Sequence, residues 1–286
     1  MRAQRRPDPA RRGLGAIALL LSALGATPPA WGQTVMTVGG SGADLGTLRK
    51  VAEIFTAARP GLVVDVLPSI GSGGGIKAVL SGAVDLGLSA RPLEAAERAA
   101  GAREILYART PLVLAVQAGA PYEGITIAEL VAIHAGLRTH WPDGQVIRPV
   151  LRPRTDTDTD VLVRSLPGLA DALERAYGRR GLPVATTDQD AANLIASVPG
   201  GLGPVSLAAI LAEQRPLKAL ALDGIRPSPA TIADGTYPLQ KPLYFVLGPA
   251  PKEEVLELIA FVRSDPGAAI LAATGHLVVP PAAASR

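Results

Sequence analysis

The chain has 286 residues, of which 48% are hydrophobic and only 3% aromatic, with 31 glycines, 26 prolines and no cysteine. Lack of cysteine excludes a disulfide framework, a thiolate nucleophile and any Cys-ligated metal or iron–sulfur site; the high apolar share, without a Gly-X-Y period, excludes a disordered or collagen-like chain. The formal charge of +3 is local: the first 32 residues carry Arg2, Arg5, Arg6, Arg11 and Arg12 against Asp8, and taking these away from 28 basic and 25 acidic residues leaves −1, so no overall charge draws the remainder to nucleic acid.

Residues 1–32 read as a secretory signal peptide. A basic segment ends at Arg12, an apolar run extends from Leu14 to Leu24, and Ala30-Trp31-Gly32 places small residues at −3 and −1 of a cleavage site before Gln33. The run is shorter than the roughly 20 residues that span a bilayer, and no cysteine follows it to carry a lipid. The expected location is the periplasm.

From residue 33 the pattern is α/β. Strands are predicted at Thr34–Val38, Val63–Leu67, Asp85–Leu88 and Leu112–Val116. Between them, Leu45, Leu48, Val51, Ala52 and Phe55, and then Ile76, Val79 and Leu80, recur at helical spacing. A second series follows: a strand at Ile147–Leu151, one helix from Asp160 to Tyr177, extended chain at Val184 and a helix from Asp190 to Ser197. A strand at Leu243–Leu247 and a helix from Glu253 to Arg263, with Val255, Leu258, Ile259 and Val262 on one side, complete two α/β lobes.

Three glycine-rich turns stand where backbone N–H groups at helix N-termini bind anions: Gly39-Gly40-Ser41-Gly42-Ala43, Gly71-Ser72-Gly73-Gly74-Gly75, and the end of Asp85-Leu86-Gly87-Leu88-Ser89-Ala90-Arg91. At the same end of successive parallel strands they would converge on one crevice. No turn matches the P-loop, because Lys77 is followed by Ala78, and none reads G-x-G-x-x-G with a later acid. Asp156-x-Asp158-x-Asp160 begins like a calcium loop, but Val161 takes the place of the required glycine and Pro167 that of the bidentate glutamate. His134, His140 and His276 are dispersed, and Ser72 lacks the G-x-S-x-G elbow. No metal, cofactor or enzymatic activity is expected, and Trp31, Trp141 and the few tyrosines offer no stacking platform for bases or sugars.

The succession Ile70-Gly71-Ser72-Gly73-Gly74-Gly75-Ile76-Lys77, then Val84 to Leu93, resembles the phosphate-binding proteins of ABC importers, as do Pro199-Gly200-Gly201-Leu202-Gly203, Gly235-Thr236-Tyr237-Pro238-Leu239, Pro242-Leu243-Tyr244 and Gly275-His276-Leu277-Val278. The resemblance implies a type II periplasmic-binding-protein fold: two α/β lobes, a hinge, and an oxyanion held in the cleft between them. Lobe 1 would comprise residues 33–115 plus 243–286 and lobe 2 residues 116–242, with hinge segments near 115–118 and 238–243. Position by position, the resemblance places Ser41, Gly42 and Ala43 in the first ligand loop, Ser72 and Gly73 in the second, and Ser89 and Arg91 in the third, where Ala90 stands for a Ser or Asp and Ala43 for a threonine. In the fourth loop Arg152 matches the family's arginine and Asp156-Thr157-Asp158 its Ser-Gly-Thr; a register shifted by two onto Arg154 is the other alignment. Carboxylates facing a dianion in a desolvated cleft would repel it unless one is protonated or turned away, although acids there also suit a helix cap.

The function so implied is capture of a small oxyanion, phosphate or a related anion, by a monomeric binding protein that closes on it and delivers it to ABC permease subunits. The alternative is a noncatalytic signalling or scaffold protein that keeps this fold and has lost phosphate binding.

Overall fold

A computed structural model describes residues 33–280; the signal-peptide expectation lies outside the described residues. In chain order the elements are β1 (Thr34–Gly40), a 3-10 turn (Gly42–Asp44), α1 (Leu45–Ala57), β2 (Leu62–Val66), α2 (Gly71–Leu80), β3 (Leu86–Ser89), α3 (Ala95–Ala99), β4 (Arg103–Gln117), β5 (Gly124–Ile125), α4 (Ile127–Ala135) and β6 (Arg148–Pro149). There follow α5 (Thr157–Ser165), α6 (Leu169–Gly178), α7 (Asp188–Ser197), β7 (Gly201–Ser206), α8 (Leu207–Ala212), β8 (Leu217–Ala219), β9 (Ala221–Leu222), α9 (Pro229–Ala233), β10 (Gln240–Leu247), α10 (Glu253–Val262), α11 (Asp265–Ala273) and β11 (Leu277–Val278).

The first three strands are parallel in the order β2-β1-β3, so their C-terminal loops emerge at one end, as the glycine turns required. β10 runs antiparallel between β3 and β4, and the sheet continues through β4 to β7 and β6. β4 belongs to both halves of the molecule: Tyr107 and Ala108 lie in one apolar core with β1, β3, α1, β10 and α10, whereas Leu112, Leu114 and Val116 lie in a second with α4, α5 and α6. One continuous strand thus joins two separately packed cores, the mixed α/β two-lobe arrangement expected.

Local sequence accounts for these elements. Leu45, Leu48, Val51, Ala52 and Phe55 form the buried stripe of α1, as their spacing predicts. α2 begins at Gly71, not after the glycine run, although glycine is a poor helix former. Close approach is the reason: a Cβ at Gly75 would lie 2.5 Å from the Gly40 Cα and 2.9 Å from the Leu88 carbonyl oxygen, so only glycine lets α2 rest on β1 and β3.

Two expectations are corrected. The single helix over Asp160–Tyr177 is two, because Pro167 lacks an N–H and disfavours helical backbone in the residue before it; Leu166 turns extended (φ −117°, ψ 112°) and Gly168 takes φ +77° before α6 begins. The strand over Ile147–Leu151 is shorter than expected: it pairs with β7 at Arg148–Pro149, Val150 N–H adds a bond to the Leu202 carbonyl (2.8 Å), and Leu151 makes an isolated bridge to Val184.

Candidate functional site

The three strand-end loops are knitted together by backbone and hydroxyl groups. Ser41 N–H donates to the Leu88 carbonyl (2.9 Å), Ile70 N–H to the Gly40 carbonyl (3.0 Å), and Ala90 N–H to the Ser72 hydroxyl (3.0 Å). Ser41 caps the 3-10 turn by accepting from Ala43 N–H (3.4 Å). Two of the expected donors, the N–H groups of Ser41 and Ala43, are therefore engaged within the protein. Ser72 and Gly73 occupy the first turn of α2, and the Ser72 hydroxyl, which accepts from Ala90, keeps its own hydrogen to donate. Ser89 is turned inward: its hydroxyl donates to the Arg91 carbonyl (2.6 Å) and accepts from Arg91 N–H (3.2 Å). The Arg91 guanidinium is forked on Glu97 (2.7 and 2.9 Å) and lies beside the first turn of α2, 4.0 Å from the position a Cβ on Gly73 would take.

The fourth loop faces the first. Gly42 sits against α7, its carbonyl accepting from the Gln189 side chain (2.9 Å), while the Ser206 hydroxyl donates to the Ala43 carbonyl (2.8 Å). A Cβ on Gly42 would fall 3.1 Å from the Asp188 Cβ. Asp188 in turn lies 3.7 Å from Arg152. The loops meet in a closed, buried arrangement.

At its centre are five ionisable side chains. Arg152 (4% exposed) follows β6, Asp156 caps α5, Asp158 lies in the first turn of α5, Asp188 opens α7 and Lys241 (1% exposed) comes from β10. Arg152 forks on Asp156 through Nε (3.2 Å) and Nη2 (2.8 Å), and its Nη1 donates to the Ala185 carbonyl (3.2 Å). Lys241 bridges Asp158 and Asp188, the latter at 3.0 Å. The Asp158 carboxylate also lies 3.5 Å from Arg152 Nε. Arg154, the alternative register, is instead exposed and pairs with Glu174 on α6. The Thr157 backbone begins α5 and places Asp156 on one side of it and Asp158 on the other.

The electrostatics follow from that geometry. Burial, reinforced by repulsion from Asp188 and Asp156, outweighs Lys241 and Arg152 and pushes the Asp158 carboxyl up to about 6. Burial also pushes on Asp188, but there Lys241 and Arg152 prevail and hold it below the ordinary value. With all five groups charged, two cations face three carboxylates. The position where the sequence placed an anion-binding arginine thus already contains the chain's own anions.

Sequence reading did not pick out Asp188 or Lys241. Lys241 was nevertheless visible in principle, because it shares the inward face of β10 with Leu243 and Phe245 at a spacing of two, and a lysine in that register requires a buried partner. Asp188 carried no comparable signal: Thr187-Asp188-Gln189-Asp190 reads as a helix cap, which it also is.

Residues 27–266 match the PBP superfamily domain. The chain belongs to that superfamily. Among solved structures, a putative phosphate ABC transporter substrate-binding protein from Clostridium perfringens, with bound phosphate, superposes with a TM-score of 0.73 at 21% identity, covering 86% of this chain and all of that one. A phosphate-binding protein from Stenotrophomonas maltophilia gives 0.60 at 15% identity over 87% of this chain and 91% of its own. An ABC-type phosphate transport receptor from Vibrio cholerae gives 0.56 at 20% over 85% and 99%. No curated protein matches. At these identities the likeness shows the fold alone.

Proposed function

We propose that this protein is the extracytoplasmic binding component of an ABC importer and that its cleft takes a small oxyanion, phosphate or a related anion. The carrying observation is Arg152, a buried guanidinium held against the N-terminus of α5 and facing, through Asp188, the first glycine loop. A buried fork of N–H donors beside a helix N-terminus is suited to oxyanions. Membership of the PBP superfamily and the likeness in fold to phosphate-binding transport proteins support the same reading. On this reading residues 1–32 export the chain to the periplasm, and the two lobes divide within β4 between Ala108 and Leu112, rather than at residues 115–118, since Leu112 and Leu114 pack in the second core, with the return crossing between Leu239 and Leu243. The chain segments where β4 and β10 pass between the cores act as the hinge, and a monomer presents the loaded cleft to the permease. Arg152, the first turn of α2 at Ser72 and Gly73, and Gly42 hold the anion, while Ser89 and Arg91 shape the third loop.

One observation favours the rival reading, a noncatalytic protein of this fold that acts through a partner: Ala43 and Ala90 contribute no side-chain donor, and three carboxylates already surround Arg152 and Lys241. Thermal unfolding against phosphate, sulfate, molybdate, tungstate, phosphonates and organic acids separates the two. A ligand at 100 times its dissociation constant adds about 2.7 kcal/mol, which raises the melting temperature by several degrees. No shift with any anion would overturn the transport reading in favour of the rival.

A further inference from the structure

We propose that Asp156 is a tethered anion: its carboxylate occupies the donors that an incoming oxyanion needs, so that binding is an exchange and Asp156 decides which ligands succeed. The proposal rests on the reading of this cleft as an anion site. Four features of the geometry carry it.

First, Asp156 uses the donor set of an oxyanion. One carboxylate oxygen takes Arg152 Nε and also the backbone N–H of Asp158 (2.9 Å), and the other takes Arg152 Nη2. A tetrahedral oxyanion would use the same guanidinium fork and the same helix N-terminus. Second, Asp156 alone of the three aspartates reaches solvent. Its side chain is 18% exposed, against 0% for Asp158 and 5% for Asp188, so a rotation about its side-chain bonds moves the charge toward water without burying it elsewhere.

Third, the arginine does not depend on Asp156 for its place. Its Nη1 is held by the Ala185 carbonyl, and its own carbonyl accepts from the Tyr177 hydroxyl (2.6 Å). The fork therefore stays in position when Asp156 leaves. Fourth, the charges that remain are balanced, with Arg152 and Lys241 against Asp158 and Asp188. Departure of Asp156 turns an excess of one carboxylate into a neutral cluster with a vacant guanidinium fork, which an anion can fill.

An intramolecular competitor acts at the effective concentration of its tether, in the millimolar range or above, and lowers the apparent affinity by the fraction of time the fork is free. Ligands that bind the fork weakly are thereby excluded.

Titration calorimetry with inorganic phosphate on wild type, Asp156→Ser and Asp156→Asn tests this at fixed pH and ionic strength, with far-UV circular dichroism to verify folding. Serine keeps a cap for α5 while vacating the fork, and asparagine keeps the size and the cap while removing the charge. The expected result is phosphate binding at least tenfold tighter in Asp156→Ser than in wild type, with Asp156→Asn in between. Equal or weaker binding by both folded variants, with measurable binding by wild type, overturns the tethered-anion proposal and leaves the anion site standing. If none of the three binds phosphate, the same titrations are made with sulfate, molybdate, tungstate and phosphonates, and no binding of any of these by any of the three overturns both.

Discussion

Replacing Lys241 by methionine tests whether the central charges act as one buried unit. The lysine is 1% exposed and neutralises two aspartates that are themselves sealed, and without it the cation left near Asp158 and Asp188 among the described residues is Arg152, at 3.5 and 3.7 Å and already forked on Asp156. Removing one partner of a buried pair costs about 3–5 kcal/mol, because the surviving charge is left in a medium that cannot solvate it. At roughly 2–4 °C per kcal/mol for a domain of this size, the melting temperature should fall by about 6–20 °C. The loss should be smaller at pH 5 than at pH 8, since a carboxyl deprived of its ammonium takes up a proton more readily. Adding Asp158→Asn to Lys241→Met removes one of the stranded charges and should recover about 1–2 kcal/mol, a coupling read from a double-mutant cycle in urea. A loss below about 1 kcal/mol, or two changes that simply add, would show that the cluster is solvated and the reasoning wrong.

Three further outcomes are expected. Because Asp158 titrates near 6 in the fold against 3.8 ordinarily, it favours the folded state increasingly as pH falls through 6, by up to about 3 kcal/mol when fully protonated. Wild type should therefore gain stability over Asp158→Asn between pH 8 and pH 5 in parallel thermal melts, whereas buried His134, whose pKa is lowered, opposes both alike. Gly75→Ala forces a methyl into the backbone of β1 and β3 and should cost about 1–3 kcal/mol in denaturant midpoint. In Gly42→Ala the new methyl would displace the Gln189 amide and the Ser69 hydroxyl and press on the Asp188 Cβ at 3.1 Å, so the tie from Gln189 to the Gly42 carbonyl is disturbed; a loss of about 1–3 kcal/mol in denaturant midpoint, with weaker phosphate binding by calorimetry, is the expected readout.

The parts of the fold legible in the sequence are those whose stability is local in origin. β1, β2, β3, α1 and α10 appear where the pattern put them: α1 and α10 each have one buried stripe at the helical period, β2 alternates, and β1 and β3 are short apolar runs, β3 buried on both faces. β7 escaped notice for the opposite reason. Its sequence, Gly-Leu-Gly-Pro-Val-Ser, is poor strand material, yet all six residues are buried and α7 lies directly against its glycines, so packing overrides propensity. The site divides along the same line. Arg152 and the aspartates of α5 were visible as residues, and the glycine turns as turns. Which donors remain free was not visible, because it depends on contacts between segments far apart in the chain, such as Gln189 with Gly42 and Lys241 with Asp158.

Those long-range contacts change the kind of binding the cleft can perform. In a cleft with open donors, a ligand adds hydrogen bonds, and affinity reflects their sum. Here Arg152 is saturated by Asp156, Ser41 and Ala43 N–H are satisfied internally, and Gln189 and Ser206 already tie α7 and β7 to the first loop. A ligand entering such a site replaces bonds of similar strength, so affinity reflects a difference. Closure then needs no ligand to supply its contacts, because the interlobe hydrogen bonds are made by protein atoms alone. What a ligand can still change is the state of Asp156, the one anion of the cluster able to reach water. The discriminating step is therefore exchange at the Arg152 fork, and a substitution there should alter affinity far more than one in the third loop, where Arg91 is bound to Glu97 and Ser89 to its own turn.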